Sequence, residues 1–205
     1  LVVVEGYMDV VALFQHGIPQ AVATLGTATT PDHAELLFRN APDVYFCFDG
    51  DAAGRRAAAR AMESVLPRMK DGHQAFFLFL PEGEDPDSVV RNEGAPGFEA
   101  RLAQAVPLSQ FLFDHLAEDG INLATLDGKA RLAERAKPLL AQLPDGAFAD
   151  LMQQRLTELT GVGARSTPPE VHVPAARARR APPSSAPRRS LVRSAITLLL
   201  QKPQL

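Results

Sequence analysis

Four short apolar runs, residues 1–4, 20–25, 44–48 and 75–80, are separated by stretches whose apolar residues recur at helical spacing. This alternation constrains the fold more than any other feature of the chain. The runs are apolar at successive positions rather than at every second one, most plainly in Val44-Tyr45-Phe46-Cys47-Phe48, so both faces of each strand must be covered. Strands of that kind belong to parallel sheets with helices packed on both sides, joined by right-handed helical crossovers. The sequence between the runs supplies the helices. Val10, Val11, Leu13 and Phe14 form one apolar side before Gly17 stops the first. Thr30-Pro31 sets an N-cap and a proline at the first helical position, ahead of Leu36, Leu37 and Phe38. An alanine-rich helix is expected from Ala52 to about Met69. The expected fold class is α/β, a parallel sheet with flanking helices.

Beyond Pro81 no further strand is expected. Residues 98–105, 108–117, 129–143 and 148–159 place apolar residues three and four apart, which predicts an all-α subdomain. From Gly163 to about Pro187 the chain is proline-rich without apolar periodicity, the composition of a disordered linker. Leu191, Val192, Ala195, Ile196, Leu198 and Leu199 then mark a last amphipathic helix. The expected organisation is a catalytic region over 1–92, a helical subdomain over 93–162, a basic linker over 163–187 and the start of another domain over 188–205. The chain opens at Leu1 without an initiator Met, so it is expected to be a piece of something longer.

Charge is divided unevenly. The net charge of −3 comes from 21 Lys and Arg against 24 Asp and Glu. Residues 164–205 hold eight of the basic groups and one acid, leaving 13 basic and 23 acidic groups before them. An acidic body does not hold polyanions by bulk charge, so any handling of phosphates calls for metal ions or local arginines. The single cysteine, Cys47, excludes an intramolecular disulfide framework and a multi-cysteine zinc site; it is expected in the core. No apolar run approaches the ~18 residues of a membrane span and no signal peptide is seen, which gives a cytoplasmic expectation with no membrane partner.

Carboxylates gather where the strands end. Glu5 follows the first run, with Asp9 four residues on; Asp49 and Asp51 follow the third; Asp85 and Asp87 follow the fourth. In an open parallel sheet the C-terminal strand ends share one edge, where ligands bind. Six carboxylates on one crevice would repel one another and raise their pKa values. Divalent cations with oxygen ligands relieve that repulsion, and magnesium takes a few carboxylates plus waters and substrate phosphates. The chemistry this suggests is metal-dependent phosphoryl transfer. Each acid also has an ordinary alternative. Asp51 and Asp85 are good helix N-caps, Asp85 especially with Pro86 after it, and Asp9 suits a solvated helix face. Arg55 lies in the first turn of a helix, where its charge opposes the dipole; it is either a solvated side chain or a contact to substrate phosphate. Leu25-Gly26-Thr27 is either a simple turn or a backbone loop near a nucleotide.

Glu5-Gly6-Tyr7-Met8-Asp9, Leu25-Gly26-Thr27, Asp49-Gly50-Asp51-Ala52-Ala53-Gly54 and Glu84-Asp85-Pro86-Asp87 occur in that order. Together they resemble the Toprim region of bacterial replicative DNA primases of the DnaG type, over residues 1 to about 160. The resemblance implies Glu5, Asp49 and Asp51 as catalytic and metal-binding positions, and Asp9, Asp85 and Asp87 as further metal-site acids. It implies Gly6, Gly26, Thr27 and Arg55 as substrate-binding positions, and Mg²⁺, replaceable by Mn²⁺, as the cofactor. Zinc would belong only to an N-terminal domain outside this chain. The implied reaction is synthesis of an RNA primer on a single-stranded DNA template from nucleoside triphosphates. Residues 190–205 resemble the first helix of that family's domain for binding the replicative helicase. Such a segment is expected to bind Mg²⁺ or Mn²⁺ but to prime poorly by itself.

Three other readings compete. A topoisomerase or nuclease of Toprim type shares the metal logic, but a topoisomerase needs a nucleophilic tyrosine. Tyr7 lies inside the acidic motif and Tyr45 inside a strand. A haloacid-dehalogenase-type phosphatase also follows an apolar strand with DxD, yet Ala53 stands where its motif wants Thr or Val, and no Gly-Asp-x-x-x-Asp follows. An acidic crevice that merely docks a basic partner is the third.

Overall fold

The structure is a computed structural model that describes residues 1–25, 28–118 and 120–162. The expected linker, the 188–205 segment, Gly26 and Thr27 lie outside the described residues. Their elements run β1 (Val2–Val4), α1 (Tyr7–Gln15), β2 (Ala21–Ala23), α2 (Pro31–Asn40), β3 (Asp43–Phe48), α3 (Ala52–Val65), β4 (Gln74–Phe79), α4 (Pro86–Leu102), β5 (Val106–Pro107), α5 (Leu108–Ala117), α6 (Leu126–Leu140) and α7 (Ala147–Thr160). The strands form one sheet in the order β2-β1-β3-β4-β5. The first four are mutually parallel, and β5 is antiparallel to β4.

The apolar strands are covered on both faces. Val3, Val44, Phe46, Phe48, Ala75 and Phe77 enter one buried cluster, with Leu37 and Phe38 of α2 and Ala58, Ala61 and Met62 of α3. Val2, Val4, Cys47, Leu78 and Leu80 enter the other, with Leu13 of α1 and Val89, Val90 and Phe98 of α4. Cys47 is buried as expected, and burial pushes its thiol above the usual range.

Several boundaries differ from expectation, for local reasons. The second strand, expected over 20–25, stops at Ala23, because Leu25 turns into the left-handed region at φ 56°. The long third helix ends at Val65 and passes into a 3₁₀ turn over Leu66–Arg68, where Pro67 removes a backbone donor. A helix missed in the sequence begins at Pro86, and Gly94 at φ 68° interrupts it. The boundary expected at 92/93 therefore falls inside α4. Absence of any strand beyond Pro81 was also the wrong expectation. β5, two residues long, pairs with Phe76 and Phe77, and neither its length nor Pro107 carries a periodic signal.

The helices after β5 share the sheet's core. The Phe111 ring stacks on Phe77 with centroids 4.5 Å apart, and Leu112, Leu132, Met152 and Leu156 join the same cluster. A polar clamp adds to this. Asp71, just before β4, accepts hydrogen bonds from the Ala147 and Phe148 N–H groups at 3.0 and 2.9 Å, capping α7 from the far end of the sheet. Among the described residues, no helix is long and apolar enough to cross a membrane.

Candidate active site

The strand order reverses between β1 and β3. From β1 the chain crosses to β2 on one side, then returns to β3 on the other. At such a switch point the loops leave the strand ends in opposite directions and open a crevice. Glu5 follows β1 and Asp49 follows β3, and those strands pair directly, Val2 with Tyr45 and Val3 with Phe46. Glu5 and Asp49 thus flank the crevice, although 44 positions separate them.

The neighbouring acids are held by their own helices. Asp51 is the N-cap of α3, its Oδ1 accepting from the Gly54 N–H at 2.7 Å. Asp85 caps α4 in the same way, accepting from the Ser88 N–H at 2.7 Å, while Ser88 Oγ accepts from the Asp85 N–H at 3.0 Å. Asp9 reaches back to accept from the Gly6 N–H at 3.1 Å. The Asp87 carboxylate accepts from Arg91 Nε at 2.6 Å. So the cap interpretation of Asp51 and Asp85 is correct, and Asp9 is a half-buried tie rather than a solvated side chain. Capping uses one carboxylate oxygen of Asp51 and of Asp85 and leaves the other. Glu5 and Asp49 make no hydrogen bond within the described residues.

Electrostatics tie these groups together. Loss of water raises the Glu5 pKa, and Asp49, Asp51 and Asp9 raise it further, against Arg60, which lowers it. Asp49 is raised by loss of water and then by Asp51 and Asp85. Asp9 is raised by burial, in spite of its bond to Gly6, with Asp85 and Asp49 adding to the shift. Negative charge gathered at a single edge thus disfavours the ionisation of Glu5, Asp9 and Asp49.

That arrangement suits a divalent cation in its chemistry. The donors are all carboxylate oxygens, hard ligands matched to magnesium or manganese, and the groups without hydrogen bonds are those beside the crevice. No group of three His, Cys, Asp or Glu side chains among the described residues forms a ready-made cage for one ion. Caps hold Asp51 and Asp85 at their helix ends. Magnesium seldom needs such a cage, since it keeps several waters and takes one or two carboxylates plus substrate.

The glycines of the third motif act through shape. A Cβ on Gly50 would lie 2.0 Å from the Leu80 carbonyl oxygen, and one on Gly54 would lie 2.1 Å from that of Asp49. Gly50 lets the loop after β3 press on the end of β4; Gly54 lets α3 start directly against Asp49. Gly6 is similarly close to the Asp9 carboxylate, 2.9 Å from a Cβ placed there. Arg55 turns along the edge toward α5. Its guanidinium carbon lies 5.5 Å from the Phe79 ring centre and Nη1 3.6 Å from Glu118 Oε1. Sequence reasoning missed Arg60, two turns into α3, which lines a small cavity with Glu5 and Thr29. The i, i+4 spacing from Arg56 was a signal, but an alanine-rich helix carries no mark of which face meets the crevice.

Comparison with known proteins places the chain in a family. The Toprim-like family matches residues 2–90, and the family described as the DnaB-helicase binding domain of primase matches residues 109–164. That second match falls on α5 to α7 and not on 188–205, the segment expected to begin a helicase-binding domain. A DNA primase of Pseudomonas aeruginosa is 56% identical over 81% of the chain, and one of Escherichia coli K12 is 49% identical over all of it. The chain spans only 25% and 35% of the length of those two relatives. A structure described as the DnaG primase catalytic domain bound to ssDNA superposes with a TM-score of 0.73 at 55% identity, covering 77% of this chain and 51% of that one. With the acids of the strand ends gathered at the switch point, and this identity running through sheet and helices alike, the chain belongs to the bacterial DNA primases of the DnaG type.

Proposed function

We propose that this chain carries the metal-dependent nucleotidyl-transfer centre of a DNA primase, which joins nucleoside triphosphates into a short RNA primer on single-stranded DNA. The observation that carries the reading is the pair Glu5 and Asp49, unbonded carboxylates on either side of the switch point, each with a raised pKa. Glu5, Asp49 and Asp51 would hold Mg²⁺ or Mn²⁺, with Asp9, Asp85 and Asp87 shaping the field around them. A bound divalent cation would lower the pKa of the attacking 3′-hydroxyl and neutralise charge on the phosphates. The chain's own part is placement. Asp51 is fixed by its bond to Gly54, and Gly50 and Gly54 keep the Asp49 loop pressed between β4 and α3. Glu5, with no hydrogen bond to hold its proton, is free to exchange one at the crevice. Gly6, Gly26, Thr27 and Arg55 remain candidate substrate contacts. The family match over 109–164 supports a replicative helicase as partner, and the relative bound to ssDNA supports a single-stranded template.

The test is a chimera. Replacing the corresponding third of the Escherichia coli primase by this chain should leave template-dependent primer synthesis intact. Glu5→Gln or Asp49→Asn in the chimera should lower it at least about 100-fold, the scale of removing a charge-stabilising group. A folded chimera that cuts or religates DNA but makes no RNA would overturn the proposal in favour of another Toprim activity.

A further inference from the structure

The cavity beside Glu5 is small, about 120 Å³, and is lined by Glu5, Thr24, Ala28, Thr29, Phe48, Ala57 and Arg60. That is room for about four waters at liquid density, enough for a phosphate group. Two of its walls supply donors that the fold does not use. Thr29 is 8% exposed, and its hydroxyl makes no hydrogen bond within the described residues. The oxygen is not sealed from solvent, since among the described residues the buried side-chain polar atom without a hydrogen-bond partner is Arg68 Nε; it is therefore open to a ligand in the cavity. Arg60 is exposed and forms no ion pair within the described residues, yet its charge reaches Glu5. Arg55 is engaged differently, by Glu118 and the Phe79 ring. A guanidinium without an ion pair and a hydroxyl without a partner, both lining one small cavity, can together hold an anion. Glu5 on the same wall would repel an anion that arrived without a cation.

We infer that Arg60 and Thr29 form a subsite for the terminal phosphates of a nucleoside triphosphate, and for the pyrophosphate released from it, filled together with a divalent cation at Glu5. This rests on the proposed function and names residues for it that the acidic motifs do not contain. Arg60 and Thr29 would orient the leaving end of the substrate, while the carboxylates act at the reacting end.

Calorimetric titration of pyrophosphate into the chain at saturating Mn²⁺ tests it, with Mn²⁺ binding measured separately. Arg60→Ala should weaken pyrophosphate binding about tenfold or more, as expected for a hydrogen bond to a charged group. Thr29→Val, of nearly the same shape, should weaken it about threefold, and Arg60→Lys should recover part of the loss. Arg39→Ala, which removes one charge from α2 away from the cavity, should change nothing. Mn²⁺ affinity should stay within about twofold in every variant. Unchanged pyrophosphate affinity in Arg60→Ala overturns the subsite while leaving the metal centre standing. Failure of the parent chain to bind Mn²⁺ overturns the proposed function and the subsite with it. Equal loss of Mn²⁺ and pyrophosphate binding in Arg60→Ala shows a residue that holds Glu5 in place, and also rejects the subsite.

Discussion

Asp71 and Asp49 sit at opposite edges of the same sheet and have opposite electrostatic fates. Asp71, at the N-terminal edge before β4, receives two backbone N–H groups from α7, and those bonds hold its carboxyl below the ordinary range. Asp49, at the C-terminal edge after β3, has no hydrogen bond within the described residues, and loss of water plus Asp51 and Asp85 push its carboxyl up. One edge completes its polar groups internally and gains structure: a helix start tied to the sheet. The other leaves like charges incompletely balanced and so favours whatever brings positive charge. Identical side chains can thus serve stability or binding, according to whether the fold supplies the donors.

The contrast can be broken most forcefully at its steric support. Gly50→Ala should destabilise the chain by about 3 kcal/mol, the upper part of the range for forcing an atom into packed space, because its Cβ would meet the Leu80 carbonyl. Urea denaturation would measure this, and a loss under about 0.5 kcal/mol would mean that the loop yields easily. Next in size is the response to cations. Mg²⁺ at a hundred times its dissociation constant should stabilise the parent by about 2.7 kcal/mol. Asp49→Asn should be more stable than the parent without divalent ions and should lose most of that response. An Asp49→Asn variant that melts lower in EDTA would show that the carboxylate is structural, like Asp71.

The smallest effect is in pH. Glu5, Asp9 and Asp49 hold protons more tightly when folded than when unfolded. The native state then binds more protons, and stability falls as pH rises from the ordinary carboxylate range through their raised values. Asp71 has the reverse sign: its contribution is complete above the ordinary aspartate pKa and is lost as pH falls through the depressed one. Melting curves between about pH 3 and pH 7 in EDTA should show both limbs, since the two sets of shifts move in opposite directions around the ordinary range. Asp71→Asn should flatten the acid limb alone, and saturating Mg²⁺ the limb above it.

Much of this was legible beforehand. Unbroken apolar runs announced a sheet buried on both faces, and Thr30-Pro31 announced the start of α2; Asp85-Pro86 has the same cap-and-proline pattern, but the helix after it was not foreseen. Acids directly after the strands announced the chemistry of the edge. What escaped notice had weak local signals. β5 is two residues long, Gly94 breaks a helix of which only the part from Phe98 carries a periodic pattern, and Arg60 looks like any charge on an alanine-rich surface. Gly50 and Gly54 were visible as motif letters, but the carbonyl oxygens they admit come from Leu80 and Asp49.

The amino-acid sequence by itself determined the four parallel strands, most of the helices and that acids follow β1, β3 and β4, because periodicity and capping are read within a few residues. Only the tertiary structure decided that β1 lies between β2 and β3. Strand order depends on contacts between distant segments, about which a local hydrophobic pattern says nothing. That order sets Glu5 across the crevice from Asp49 and brings Thr29 and Arg60 to one small cavity beside it.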